Sequence, residues 1–179
     1  MNSEHIRSRF GSYGVDVLGQ SEDRRLANLY SESAGMRICR TLALTHFLLP
    51  TEPALEAPDA LIRGGASIGT TLCDAGFCMV KSDPVFSRAS SGAFFEALSS
   101  GGIGKGTLLA TQLYTLNAER DGYQYPYAII AEAYHPDHVA PRATDIPIES
   151  LLSSLNGVQR KTLEELNWAL ENAQFKVDN

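Results

Sequence analysis

Two arginines and one glutamate are the residues whose types and spacing suggest chemistry in this sequence. Arg25 and Arg40 bound the segment RLANLYSESAGMRICR, and Glu132 lies in the apolar segment AIIAEAYHP. A guanidinium group presents paired N–H donors that match a carboxylate, and a carboxylate removed from water can take a hydroxyl proton. If the fold brings the three together, they suit a small anionic ligand with a carboxylate at one end and a hydroxyl at the other.

A β-hairpin is expected to position the two arginines. Residues 26–29 and 38–44 have the composition of strands, and the segment 31–35 between them supplies a turn. Arg25 and Arg40 therefore each lie near the start of one of two paired strands. The alternative is that both are solvated or paired across the strands, as arginines at hairpin ends often are.

The rest of the chain predicts an α+β fold. Expected helices lie at residues 2–10, 57–62, 67–77 and 90–98, and expected strands at 15–18, 77–80, 108–116 and 125–134. Asp121-Gly122 is a typical turn for joining the last two strands as a hairpin. We therefore expect a mainly antiparallel sheet of about six strands with the helices packed on one side.

Residues 1–140 are expected to form this α+β domain, and residues 141–179 a helical extension packed on it. Leucines recur at helical intervals in the last thirty residues, and Gly157 divides them into two helices. The alternative is that these helices form a contact in a homodimer.

Composition narrows the function classes. The 179 residues carry 15 Lys and Arg against 21 Asp and Glu, a net charge of −6, which gives no general basis for nucleic-acid binding. No apolar run reaches the roughly 20 residues of a membrane span, and no signal peptide is evident. Three cysteines without zinc-ligand spacing indicate reduced thiols, so we expect a cytoplasmic protein with no membrane contact.

Three other motifs are weaker. The stretch 101–107 is glycine-rich and contains Lys105, but it lacks the order of a phosphate-binding loop and is interpreted as a flexible turn or flap. His135 and His138 flank a proline that keeps them off a regular helix, so no metal is expected there. Cys39 is interpreted as a core thiol. We therefore predict neither a metal nor a cofactor.

Several of these positions resemble the chorismate lyase family, whose fold is shared by the UTRA ligand-binding domains of bacterial regulators. In that family a strand beginning at an arginine returns to a second arginine followed by Thr, as Arg25 and Arg40-Thr41 do here. The family's glutamate precedes a proline by four residues, as Glu132 precedes Pro136. The resemblance also includes Arg9-Phe10, expected to open the first strand, and the run 65–72; together it spans residues 6–136.

The resemblance implies roles for individual residues. Arg25 would bind the ring carboxylate of chorismate, Arg40 the enolpyruvyl carboxylate or the charge that develops as the ether bond breaks, and Glu132 would bind the ring hydroxyl and act as the general acid or base. Ile6 and Gly69 would line the substrate pocket.

The expected function is thus a carbon–oxygen lyase that eliminates pyruvate from chorismate to give 4-hydroxybenzoate or a related hydroxybenzoate. The alternative is a UTRA-like protein that binds an aromatic or shikimate-derived carboxylate without turnover. No winged helix precedes the first strand, so DNA binding is not expected.

Overall fold

A single mixed sheet dominates the computed structural model, which describes residues 2–173. Its strands are β1 (Gly14–Gln20), β2 (Arg24–Ser33), β3 (Met36–Phe47), β4 (Cys78–Ser90), β5 (Leu108–Arg120), β6 (Tyr123–Tyr134) and β7 (Ile146–Pro147). They are arranged in the order β1-β2-β3-β6-β5-β4-β7, and every neighbouring pair is antiparallel except β4 and β7. The expected α+β class with a mainly antiparallel sheet is confirmed.

Six α-helices accompany the sheet within the described residues. They are α1 (Asn2–Phe10), α2 (Glu56–Arg63), α3 (Ile68–Asp74), α4 (Ala93–Leu98), α5 (Ile148–Leu151) and α6 (Gly157–Glu171). None of them is long and apolar enough to cross a membrane.

Two tight turns form the main hairpins, as their residue types predict. Ala34-Gly35 joins β2 to β3, and Asp121-Gly122 joins β5 to β6; all four residues have φ between 50° and 79°. Positive φ at both central residues matches the twist of the flanking strands, and Gly and Asp tolerate it best. Pairing of β3 with β6 then joins the two hairpins into one sheet.

Alternation along the central strands gives the sheet two different faces. Leu42 and Leu44 of β3 and Ala131 of β6 point to the first, which we call the core face, where α4, α5 and α6 bury the largest apolar cluster. Full burial of a leucine stabilises the fold by about 2 kcal/mol. Ala43 and Thr45 of β3 point to the opposite side, which we call the cavity face.

Helices pack against both faces, not on one side as expected. On the cavity face, Ile62 of α2 and Leu72 of α3 form a second apolar cluster with Phe47 and Ile130. The central strands carry apolar residues on both sides, so each face must be covered to remove them from water.

Two elements differ in extent from the expectation. The short strand expected at 77–80 continues to Ser90, because a bulge between Ser82 and Val85 accommodates Pro84, which lacks the N–H that a regular ladder needs. Arg9-Phe10 ends α1, and the first strand opens only at Gly14.

Candidate functional site

A cavity of about 330 Å³ lies against the cavity face of the sheet, beneath the start of α1 and the start of α3. Its apolar walls come from five strands, and they include Val15, Ala27, Leu29, Ala43, Leu116 and Ile130. A mostly apolar cavity of this size with a few polar groups is typical of a small-molecule site.

Arg25 contributes a buried cation to this cavity. The residue is 2% exposed, and its Nη1 donates to the carbonyl oxygens of Ala66 at 2.7 Å and Ile62 at 3.3 Å. Its Nε is buried without a hydrogen-bond partner, and no carboxylate of the described residues lies within ion-pair distance. Burial lowers the pKa of Arg25, the direction expected for a cation removed from water.

Glu132 lines the same cavity and is 3% exposed. Its Oε1 accepts from Asn2 Nδ2 at 3.0 Å, and its Oε2 accepts from Lys81 Nζ at 3.1 Å and from the Tyr134 hydroxyl at 2.6 Å. That hydroxyl also lies 2.9 Å from Gln112 Oε1, but it has one proton, and the carboxylate is the stronger acceptor. Burial, and then the charge of Glu132, raise the pKa of Tyr134, so Tyr134 stays a neutral donor.

Lys81 is the charged residue of the site that sequence reasoning missed, and Asn2 and Tyr134 are polar ones. The Lys81 ammonium group pairs with Glu132 and lies 3.9 Å from the centre of the Tyr114 ring, a cation–π contact. Lys81 follows the short strand expected at 77–80, and only the extension of β4 beside Leu116 places it over the cavity. The sequence signal that could have found it is the continuation of β-forming residues on both sides of Pro84.

The register of the sheet sets the separation between the two ends of the site. Thr45 pairs with Arg25 on one side of β3, and Ala43 pairs with Glu132 on the other. With about 4.8 Å between strands and about 3.4 Å per residue, the Cα atoms of Arg25 and Glu132 lie about 12 Å apart. Strand pairing therefore fixes the separation between the two residues at the backbone.

Arg40 does not join Arg25 and Glu132 in the cavity lining. The two arginines lie near the starts of antiparallel strands, and such starts are at opposite ends of a hairpin: Arg25 pairs with Thr45, about 17 Å along β3 from Arg40. Arg40 is instead the extra residue of a bulge and lies 3.8 Å from the centre of the Phe10 ring. Its Nε donates to Ser31 Oγ at 2.8 Å.

The other two residues expected in the pocket are placed differently from each other. Gly69, in the first turn of α3, lines the cavity. Ile6 is fully buried on α1 but is absent from the lining. Its side chain helps to seat α1 on the domain, and the neighbouring Asn2 and Ser3 reach the cavity instead.

Asn2 links Glu132 to a buried histidine. Its Nδ2 donates to Glu132 and to Thr41 Oγ1 at 3.1 Å, and its Oδ1 lies 2.6 Å from His138 Nε2. Because Oδ1 can only accept, Nε2 carries a proton. Burial, and then the nearby His5, lower the pKa of His138 to about 4. The network orients Glu132 from the side opposite Lys81.

The weaker motifs stay outside this cavity. The stretch 101–107 connects α4 to β5, and Lys105 pairs with Glu171 of α6. Within residues 2–173, no group of three or more His, Cys, Asp or Glu side chains is placed to hold a metal ion.

Comparison with solved structures finds similar folds at low sequence identity. No family model matches the chain, and no curated protein matches it. Among solved structures, it is similar to the C-terminal domain of PhnF, with 17% identity and a TM-score of 0.44 over 75% of this chain and 76% of that one. It is also similar to the ligand-binding domain of a Bordetella bronchiseptica protein assigned to the GntR family of transcriptional regulators, with 13% identity and a TM-score of 0.47 over 74% and 91%.

A third similar structure is the C-terminal domain of Yurk from Bacillus subtilis, with 14% identity and a TM-score of 0.40 over 70% of this chain and 87% of that one. Likenesses at this level identify neither a ligand nor an activity.

Proposed function

We propose that this protein binds a small organic anion, with the carboxylate of the ligand paired to Arg25. The single observation that carries the proposal is that a buried arginine lines an apolar cavity without any carboxylate partner among the described residues. An isolated buried charge is costly, and a ligand carboxylate that reaches the guanidinium group offsets this cost with charge-assisted hydrogen bonds.

The volume and the walls of the cavity favour a ring-containing ligand. Its apolar lining from five strands favours a compact hydrocarbon body, and its volume of about 330 Å³ holds one ring with its substituents. We therefore propose an aromatic or related cyclic carboxylate, bound with its acid group at Arg25 and its opposite end near Glu132.

Calorimetric titration with benzoate and 4-hydroxybenzoate tests this proposal. Arg25→Gln should weaken binding by about 1–3 kcal/mol, which is about 5-fold to 150-fold in Kd, because the charged donor is lost. Arg25→Lys should recover only part of the affinity, since an ammonium group cannot form the paired contact.

The matched control is Arg37→Gln. Arg37 belongs to the same hairpin, but its exposed side chain pairs with Asp16 at 3.1 Å, outside the cavity. Thermal unfolding of each variant separates loss of binding from loss of fold. If Arg37→Gln weakens binding as much as Arg25→Gln, the carboxylate is not held by Arg25 and the proposal fails.

A chorismate lyase activity is the second candidate. It is favoured by one observation, that Arg25 and Glu132 line the same cavity. Two others oppose it: Arg40 lies outside the lining, and Glu132 is already paired with Lys81. Incubation of the folded protein with chorismate, followed by measurement of pyruvate, separates the candidates, because a binding protein forms none.

A further inference from the structure

The charge of the cavity lining is set by three residues. Among the described residues that line it, Arg25, Lys81 and Glu132 carry charge at neutral pH, and the phenols Tyr13 and Tyr114 are the other titratable groups. Lys81 and Glu132 form an ion pair at 3.1 Å, so their charges compensate each other. The lining therefore has a net charge of +1, and this charge is located at Arg25.

Both members of the ion pair are held in place. Glu132 also accepts from Asn2 and Tyr134, and Lys81 also lies over the Tyr114 ring and 3.4 Å from Gln112 Oε1. Neither charge can turn to a ligand group without losing several of these contacts. The pair therefore offers hydrogen bonds to a ligand, but no net charge.

We propose that Lys81 determines the charge specificity of the cavity, so that the ligand is a monoanion with a neutral polar group at the end opposite its carboxylate. The proposal rests on the proposed function, because it assumes a carboxylate at Arg25. A second carboxylate at the far end would meet Glu132 at close range, and an ammonium group would meet Lys81. Each like-charge contact excludes the wrong ligand.

Changing one member of the pair should change which ligand charge is preferred. Glu132→Gln keeps the shape of the side chain and leaves the Lys81 ammonium uncompensated, so the far end becomes positive. Lys81→Gln leaves the Glu132 carboxylate uncompensated, so the far end becomes negative. Lys81 is 39% exposed, and its substitution leaves the core intact.

Four benzoates that differ only at the para position serve as probes. They are benzoate, 4-hydroxybenzoate, terephthalate and 4-(aminomethyl)benzoate, whose far ends are apolar, neutral polar, negative and positive. The wild type should bind 4-hydroxybenzoate best. The affinity for terephthalate, divided by the affinity for 4-hydroxybenzoate, should rise about tenfold in Glu132→Gln. The same ratio for 4-(aminomethyl)benzoate should rise about tenfold in Lys81→Gln.

Lys105→Gln is the control, because Lys105 is an exposed lysine that pairs with Glu171 away from the cavity. Its ratios of Kd should equal those of the wild type. The proposal is supported if the preference between terephthalate and 4-(aminomethyl)benzoate moves toward terephthalate in Glu132→Gln and toward 4-(aminomethyl)benzoate in Lys81→Gln. Unchanged ratios, or shifts in the same direction, overturn it while Arg25-dependent benzoate binding still supports the proposed function. Absence of benzoate binding in the wild type overturns both.

Discussion

Arg25 and Arg40 are both buried arginines of one hairpin, and their surroundings give them different parts in the molecule. Arg25 lines the cavity, its Nη1 donates to two carbonyl oxygens, and its buried Nε has no hydrogen-bond partner. Arg40 lies over Phe10, bonds Ser31, and has the exposed Asp137 at 3.7 Å. Arg25 therefore has no acidic partner among the described residues, which is why we propose a ligand carboxylate there, whereas Arg40 has Asp137 nearby.

At the same scale, Cys39 and Cys78 should differ in reactivity. Cys39 is fully buried, and burial raises the pKa of its thiol, so the reactive thiolate is scarce and inaccessible. Cys78 is exposed at the start of β4. Alkylation of the native protein with iodoacetamide, followed by peptide mass spectrometry, should label Cys78 and spare Cys39.

Labelling of both thiols in denaturant is the control for that measurement. Fast labelling of Cys39 in the native protein would contradict the packing of β3 against the core face.

At the scale of elements, helices α4 and α6 are in unusually close contact. Gly92, the residue before α4, lies so near the end of α6 that a Cβ atom there would be 2.5 Å from the carbonyl oxygen of Leu170 and 2.6 Å from Glu171 Cα. Both are backbone atoms, which move only with the helix. A glycine is therefore required for α4 to begin at this position.

Gly92→Ala should lower the free energy of unfolding by about 1–3 kcal/mol, because α6 must shift to admit the methyl group. Gly104→Ala is the matched control: nothing lies within 4 Å of a Cβ atom at that position, so its effect should stay within about 0.5 kcal/mol. Urea unfolding followed by circular dichroism measures both variants. Equal stabilities would show that α4 and α6 are not in this contact.

At the scale of the whole molecule, the region joining α1 to the end of β6 should make stability depend on pH. Burial lowers the pKa of His138 to about 4 and also lowers that of His135. A histidine in the unfolded chain titrates near pH 6.5, so between about pH 6.5 and 4 the unfolded state binds more protons. Folding stability should therefore fall as the pH drops through this range.

The expected contribution of His138 is about 1–3 kcal/mol between pH 7 and pH 4. Urea unfolding at a series of pH values measures it, and His138→Gln should reduce the slope, because the glutamine amide can donate to Asn2 Oδ1 without titrating. A variant with the slope of the wild type would assign the pH dependence to other groups.

Local chemistry explains how much of the fold could be predicted. The Asp121-Gly122 turn and the strands beside it depend on neighbouring residues, so their types suffice to predict them. The turn expected over residues 31–35 is shorter, because β2 continues to Ser33 and only Ala34-Gly35 form it. Helix α3 lies within the segment expected for it, and α2 extends by one residue beyond each end of its expected segment. The bulge at Pro84 was not predictable from local patterns, because a strand can accommodate a proline only where the pairing with its neighbouring strand allows it.

The sequence by itself determined the α+β class, the two hairpins and the presence of two arginines and one glutamate on separate strands. Only the tertiary structure decided that Arg25, Glu132 and Gly69 line one cavity, that Lys81 neutralises the glutamate, and that Arg40 lies elsewhere. The physical reason is the separation along the chain between the residues that decide each feature. Turns are encoded by adjacent residues, whereas the pairing of β3 with β6 and the extension of β4 depend on burying apolar side chains that are far apart in the chain.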